Sequence, residues 1–384
     1  MAKYLFLILS FCLLLFSCRN NKQEIKSEYI ANQAYSNEYN IAGDSIYYAV
    51  GFQIETHTDY RLVTVRNPWN MNLVLQRYVL VSKTAALPEN LPEGVLIRTP
   101  LERTVSYGSV QCSFFAEFGA LPTLVGVCEP QYIHIPYVQE GVHSGRIADI
   151  GQGTNPDLEK IMLAEPEALF TAPIDGSGYG QTAKLGIPFI ECMDYMESSP
   201  LGRAEWIRFM ALFFEKKDLA DSLFRETVDN YNQLKELSAQ VNRRPSVFAE
   251  TIYSGVWYLP GGQSYMAHIF RDSGADYLWK DDTGTGSIGL SFESVLDKAD
   301  KADFWLIKYN NPQDMSYESL KKNNPNYAFF DAFKHRNIYA CNMGKVTYYE
   351  DLPIHPDYIL KDLVGLFHPE LLPDYQAKYY NKMR

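Results

Sequence analysis

The chain has 384 residues, of which 46% are hydrophobic and 21% charged, with a formal net charge of −11. That length and apolar content suffice for a buried core and suit one or two ordinary domains. The acidic balance argues against nucleic acid as a partner, because such binding depends on clustered Lys and Arg neutralising the phosphate backbone.

In chain order, Lys3 supplies a positive start and Tyr4 to Phe16 an apolar run too short to span a bilayer, the pattern of a signal peptide. The run closes on Leu15-Phe16-Ser17-Cys18, which resembles the bacterial lipobox. Residues 1–17 are therefore expected to be removed and Cys18 to become a lipidated N-terminus. Residues 18–40 are polar, have no apolar face and read as a tether. No later apolar run approaches the roughly 20 residues a membrane span requires, so membrane attachment would depend on the lipid. The remaining cysteines, Cys112, Cys128, Cys192 and Cys341, are widely spaced, and the first three have apolar neighbours, so buried thiols are expected.

Residues 41–98 alternate like strands, as in Tyr60 to Val65 and Tyr78 to Val81, with a turn at Asn67-Pro68-Trp69-Asn70 between. They form an expected β extension on the first lobe. From residue 99 short strands and helices alternate, with strands at Arg103–Tyr107, Leu124–Val127, Ala168–Ala172 and Ile187–Ile190. The helices between them are Gln111–Gly119, Pro156–Ala164 capped by Asn155, and one ending at Lys184. Residues 201–244 hold two helices, Arg203–Phe214 and Asp218–Val241. The second is roughly 30 Å or more long and carries a stripe of Leu219, Leu223, Tyr231, Leu234, Leu237 and Val241. The β/α alternation resumes over residues 245–384, with strands Ser246–Glu250 and Phe304–Ile307 and a helix Tyr358–Phe367. The fold class is α/β: two Rossmann-like lobes, 99–200 and 245–384, with parallel sheets, joined by a long helix and enclosing a ligand cleft. A weak internal repeat supports the pairing, since Leu158 and Phe170 share their offset in numbering with Phe292 and Phe304.

The runs Thr104-Val105-Ser106-Tyr107, Phe114 to Gly119, Leu124 to Val127, Asp149 to Ile161, Glu165 to Phe170 and Leu185-Gly186-Ile187-Pro188 together resemble the class III periplasmic binding proteins for iron chelates and cobalamin. Leu290 to Leu296, Asn337-Ile338-Tyr339 and Phe367-His368-Pro369-Glu370 fit later landmarks of that family. The resemblance runs in order from about Ile97 to Leu372, and the strand-like segment before Thr99 departs from it. It implies a monomeric, non-enzymatic clamshell that delivers a metal chelate, containing iron or cobalt, to an ABC importer permease. It also implies that Glu159 and Glu293, one per lobe, dock on permease arginines. Each is equally a first-turn acid favoured by the helix dipole.

For the ligand, the loops after strand ends offer Tyr107, Tyr132, Gln152, Asp175, Tyr179, Trp257 and Tyr258, since a bulky chelate needs flat apolar walls and a few polar groups. No catalytic residue and no cofactor is expected. Gly284 to Gly289 reads G-x-G-x-x-G but follows no strand, and Gly176-Ser177-Gly178 lacks the frame of a nucleophile elbow. A free metal-ion site using His134, His143 and carboxylates stays open, as does a chelatase-like enzyme with two similar lobes. A surface lipoprotein passing its ligand to an outer-membrane receptor also stays open.

Overall fold

A computed structural model of the chain describes residues 43–384; the signal peptide, the lipidation at Cys18 and the tether lie outside the described residues. The alternation in the N-terminal segment folds as a four-stranded sheet. β1 (Phe52–Thr56), β2 (Arg61–Arg66) and β3 (Val74–Ser82) are antiparallel, and β4 (Val95–Thr99) runs parallel to β3. The turn between β2 and β3 is set by Asn67, whose side-chain oxygen accepts from the backbone N–H of Trp69 and Asn70 at 2.9 and 3.1 Å.

The first lobe follows: β5 (Thr104–Ser106), α1 (Ser109–Glu117), β6 (Leu124–Cys128), α2 (Pro136–His143), β7 (Ala148–Gln152), β8 (Asn155–Pro156), α3 (Leu158–Ala164), β9 (Ala168–Thr171) and β10 (Phe189–Glu191). They form a sheet in the order β10-β9-β5-β6-β7-β8, parallel except for β8. Two local expectations are corrected. Asn155 and Pro156 pair with β7, and it is Asp157 that caps α3, accepting from the N–H of Lys160 at 3.1 Å. The segment up to Lys184 forms only a 3-10 turn over Thr182–Leu185.

α4 (Pro200–Leu212) is buried almost all round, which a two-sided environment explains. On one side Phe52 meets Trp206 at 4.9 Å between ring centroids, and just past the helix Tyr78 meets Phe213 at 5.5 Å. On the other side Phe213 and Phe214 pack on Phe170 and Phe115 of the first lobe. The helix is thus the filling between the N-terminal sheet and the lobe. Its charged residues are also used. The Glu205 carboxylate accepts from the backbone N–H groups of Tyr47, Tyr48 and Ala49, and Glu197, just before the helix, accepts from Val50, Gly51 and the Trp206 indole. Arg208, fully buried, bridges Glu205 at 2.8 Å and Asp221 at 2.7 Å and donates to the carbonyls of Ser45 and Gly43. Buried charge is tolerated here because nearly every lone pair and proton finds a partner.

α5 (Lys217–Ala239) is the expected long helix, but its buried stripe is Ala220, Asp221, Phe224, Val228 and Tyr231, whereas Leu219 is 45% exposed. It packs on α4 at one end and reaches the second lobe at the other, where Tyr231 donates to Asp272 at 3.0 Å. That lobe contains β11 (Ser246–Ala249), β12 (Ile252–Tyr253), β13 (Val256–Pro260), α6 (Tyr265–Asp272), β14 (Asp276–Tyr277), β15 (Ser287–Leu290) and α7 (Phe292–Ala299). It continues with β16 (Phe304–Tyr309), α8 (Tyr317–Asn323), α9 (Asp331–Lys334), β17 (Ile338–Asn342), α10 (Tyr348–Asp351), α11 (Pro356–Phe367) and β18 (Asn381–Lys382). Its main sheet has the order β14-β11-β16-β17-β18, with β18 antiparallel, and β12, β13 and β15 make a small antiparallel sheet. The architecture is therefore two α/β lobes linked by a long helix, with an added N-terminal sheet.

The two halves correspond where the repeat places them: α3 and α7 begin at Leu158 and Phe292 and lead into β9 and β16. The glycine pattern at 284–289 opens β15 instead of a helix. Gly261 and Gln263 donate to the carbonyls of Gly286 and Gly284, and a Cβ on Gly261 would lie 2.3 Å from the Gly284 oxygen, so these glycines serve close backbone packing. All four cysteines of the described residues are buried free thiols. No helix among the described residues is long and apolar enough to cross a membrane.

Candidate functional site

Parallel strands end in loops on one side of the sheet, and ligands of open α/β sheets bind there. In the first lobe that side carries a cavity of about 810 Å³. After β5 the chain runs to Tyr107; after β6 Glu129 turns with a left-handed φ of 50°; after β9 come Thr171 to Gly180; after β10 come Asp194 and Tyr195. Arg203 of α4 completes the lining, and every lining residue belongs to the first lobe or to α4. The second lobe touches the site's edge through Tyr265, whose ring lies 5.5 Å from the Arg203 guanidinium.

Tyr179 is held in two ways. Its ring stacks on Phe189 at 3.7 Å, and its hydroxyl donates to Glu191 Oε1 at 2.8 Å. Glu191 is 8% exposed, and its second oxygen has no hydrogen-bond partner. Burial pushes its carboxyl above the usual carboxylate range, and the bond from Tyr179 offsets this only in part. Burial likewise pushes the Tyr107 hydroxyl up to about 12 and raises that of Tyr179, so both stay neutral. Arg203 Nε donates to Asp194 Oδ2 at 2.9 Å, and Asp194 is 1% exposed.

Of the residues named from sequence, Tyr107 and Tyr179 line the cavity. Gln152 and Asp175 are exposed beside the lining residues Gly153 and Ile174. Tyr132, 58% exposed, and Tyr258, 47% exposed on the small sheet, lie outside the lining. Trp257 is corrected outright: it has 0% exposure, donates through its indole to the Ala249 carbonyl at 2.9 Å, and packs among Phe248, Trp305, Tyr327 and Phe330. It belongs to the core of the second lobe because β13 turns its odd positions inward. Sequence reasoning missed Asp194, Tyr195 and Arg203. The rule of reading loops after strand ends, applied to the loop after β10, would have found the first two; nothing in the sequence brings Arg203 to them.

Glu159 and Glu293 are exposed in the first turns of α3 and α7, which Asp157 and Ser291 cap, and neither makes an ion pair among the described residues. His134 and His143 do not gather a metal site. His134 Nδ1 pairs with Glu350 of the second lobe at 2.9 Å, His143 lies exposed at the end of α2, and no group of three His, Cys, Asp or Glu able to hold a metal ion exists among the described residues.

Comparison with known proteins agrees with this architecture. Residues 105–343, well over half of the chain, match the model of the family described as periplasmic binding protein. An uncharacterized lipoprotein of Methanocaldococcus jannaschii is 27% identical over 324 residues, covering 80% of this chain and 76% of the relative. Among solved structures, a periplasmic heme binding protein from Pseudomonas aeruginosa superposes with a TM-score of 0.57 at 16% identity, over 74% of this chain and 98% of that one. A possible iron-binding (periplasmic solute-binding) protein from Staphylococcus epidermidis gives a TM-score of 0.56 at 17% identity, over 70% of this chain and 100% of that one. With the two lobes, the long connecting helix and a matching family model in agreement, this chain belongs to the periplasmic binding protein family.

Proposed function

We propose that this protein is an extracytoplasmic solute-binding lipoprotein, anchored through Cys18, that captures a metal chelate containing iron or cobalt and hands it to the permease of an ABC importer. The observation that carries the reading is the cavity of about 810 Å³ at the carboxyl ends of the parallel strands, walled by Tyr107, Tyr179 and Tyr195. Such a volume suits a bulky ligand, and tyrosines supply flat apolar area with a polar tip at low entropy cost. The membership in a family of binding proteins and the likeness to a lipoprotein support it.

Glu159 and Glu293 are the proposed docking residues: two exposed, unpaired carboxylates at equivalent places in the two lobes. Charges at a rim govern orientation and encounter more than folding, and juxtaposing like charges costs several kcal/mol. Replacing both with Lys is expected to abolish chelate uptake in cells that lack the wild-type protein. The purified variant should bind its chelate with unchanged affinity. Normal uptake by the double-Lys variant refutes the docking role and leaves these residues as helix-dipole acids only.

A further inference from the structure

The charges of the cavity bear on which chelate it takes, an inference that rests on the chelate-carrier reading above. Three charged side chains line the cavity, Glu129, Asp194 and Arg203, and neither Lys nor His is among the lining residues. Arg203 is the single cation, and it is bonded through Nε to the buried Asp194, so the two act as a neutral unit. Glu129 then leaves the lining with a formal negative charge. The Arg203 side chain is 14% exposed, and its terminal nitrogens Nη1 and Nη2 make no hydrogen bond among the described residues and are not among the sealed-off unpartnered atoms. They are donors open to the cavity. The Tyr107 hydroxyl, by contrast, is sealed beside Thr182 and is not open to a ligand in the cavity.

We propose that this cavity selects an uncharged or cationic chelate bearing outward oxygen acceptors, of the ferric tris-hydroxamate kind, and rejects polyanionic chelates such as ferric tris-catecholates. A polyanion leaving water needs unpaired cations to replace its hydration, and like charges brought together in a low-dielectric site repel strongly. Here the one guanidinium has its charge cancelled at close range, and Glu129 faces the incoming ligand. The oxygens of an uncharged hydroxamate chelate, by contrast, need only donors, which the free Nη atoms provide while the Asp194 carboxylate cancels their charge. The rings of Tyr107, Tyr179 and Tyr195 cover the apolar parts of such a ligand.

The test is fluorescence or calorimetric titration of the purified protein with a neutral ferric tris-hydroxamate, a cationic hydroxamate chelate and a trianionic ferric tris-catecholate. The neutral or cationic probe is expected to bind at least about tenfold tighter than the trianion. Asp194→Asn, which uncovers the Arg203 charge, should shift the ratio of affinities toward the trianion by roughly tenfold. Glu129→Gln, at a half-buried position, should shift it in the same direction by a few-fold. Equal or tighter binding of the trianion overturns the proposal, as does a ratio that neither substitution moves. Binding of none of these three overturns the selectivity, and the carrier reading falls with it only when an iron porphyrin and a corrinoid also fail to bind.

Discussion

Tyr179→Phe isolates one hydrogen bond in the wall of the cavity. The phenyl ring keeps the stack on Phe189, while Glu191 loses the only hydrogen bond its side-chain oxygens make among the described residues. Leaving a buried acceptor unsatisfied costs about 1–3 kcal/mol, more when the group is charged. Because the folded-state pKa of Glu191 is raised above the ordinary 4.5, folding favours its protonated form, and its contribution to stability declines as pH rises from the unfolded value through the folded one. The lost bond was lowering that pKa, so the variant's pKa rises further and its cost grows with pH. We expect a loss of about 1 kcal/mol near pH 4, where the carboxyl is neutral, rising toward about 3 kcal/mol at pH 7. For a chain of this size that is a fall in Tm of roughly 1.5 °C per kcal/mol. Thermal unfolding of wild type, Tyr179→Phe, Glu191→Gln and the double variant across that pH range checks it. A cost that is equal at both pH values, or that persists in full on the Glu191→Gln background, refutes the reasoning.

Trp257→Ala should destabilise the protein by about 3–5 kcal/mol through the cavity it opens among Phe248, Trp305 and Phe330, with chelate affinity unchanged in the molecules that fold; denaturant unfolding beside titration decides it, and a stable variant with lost affinity contradicts the core placement. His355→Gln addresses a contact between the lobes, where His355 Nε2 meets Glu117 at 3.2 Å. Burial opposes the imidazolium, but the bond to Glu117 and the attraction of Glu117 and Asp357 outweigh it and raise the His355 pKa above 6.5. The stabilisation is therefore complete below pH 6.5 and lost as pH rises through the folded value, and the substitution should flatten the pH dependence of Tm above pH 6.5. His355 also holds the Asp357 carboxyl down, so in the variant the decline that burial of Asp357 produces between 3.8 and about 6 should extend to higher pH; an Asp357→Asn background therefore isolates the imidazole, and an unchanged slope above pH 6.5 on adding His355→Gln there contradicts the assignment.

The alternation of strand and helix signals was enough to place β5, β6, β9, β11, β16 and α11 within a few residues, because each follows from local periodicity and from Pro or Gly at its ends. It was also enough to mark Glu159 and Glu293 as equivalent, since equal offsets from the following strand put each in the first turn of its helix. What periodicity could not decide was which side of an element faces a partner. The long helix shows this: its leucines make an apolar stripe in the sequence, yet Leu219 is exposed, because the neighbouring stripe of Ala220, Phe224, Val228 and Tyr231 is the one that meets α4 and α11.

Composition and the order of elements are properties of the chain read locally, and from them the fold class followed. The site depended on long-range placement. Trp257 and Tyr258 are adjacent in sequence, yet one is sealed in the aromatic core and the other exposed, because successive residues of a strand point to opposite faces and only the packed lobe says which face is inward. Arg203 reaches the cavity because α4 is wedged between two sheets, a position fixed by Trp206, Phe209 and Phe213 filling the space between them. No spacing in the sequence records that wedge, since it is the summed shape of surfaces far apart in the chain.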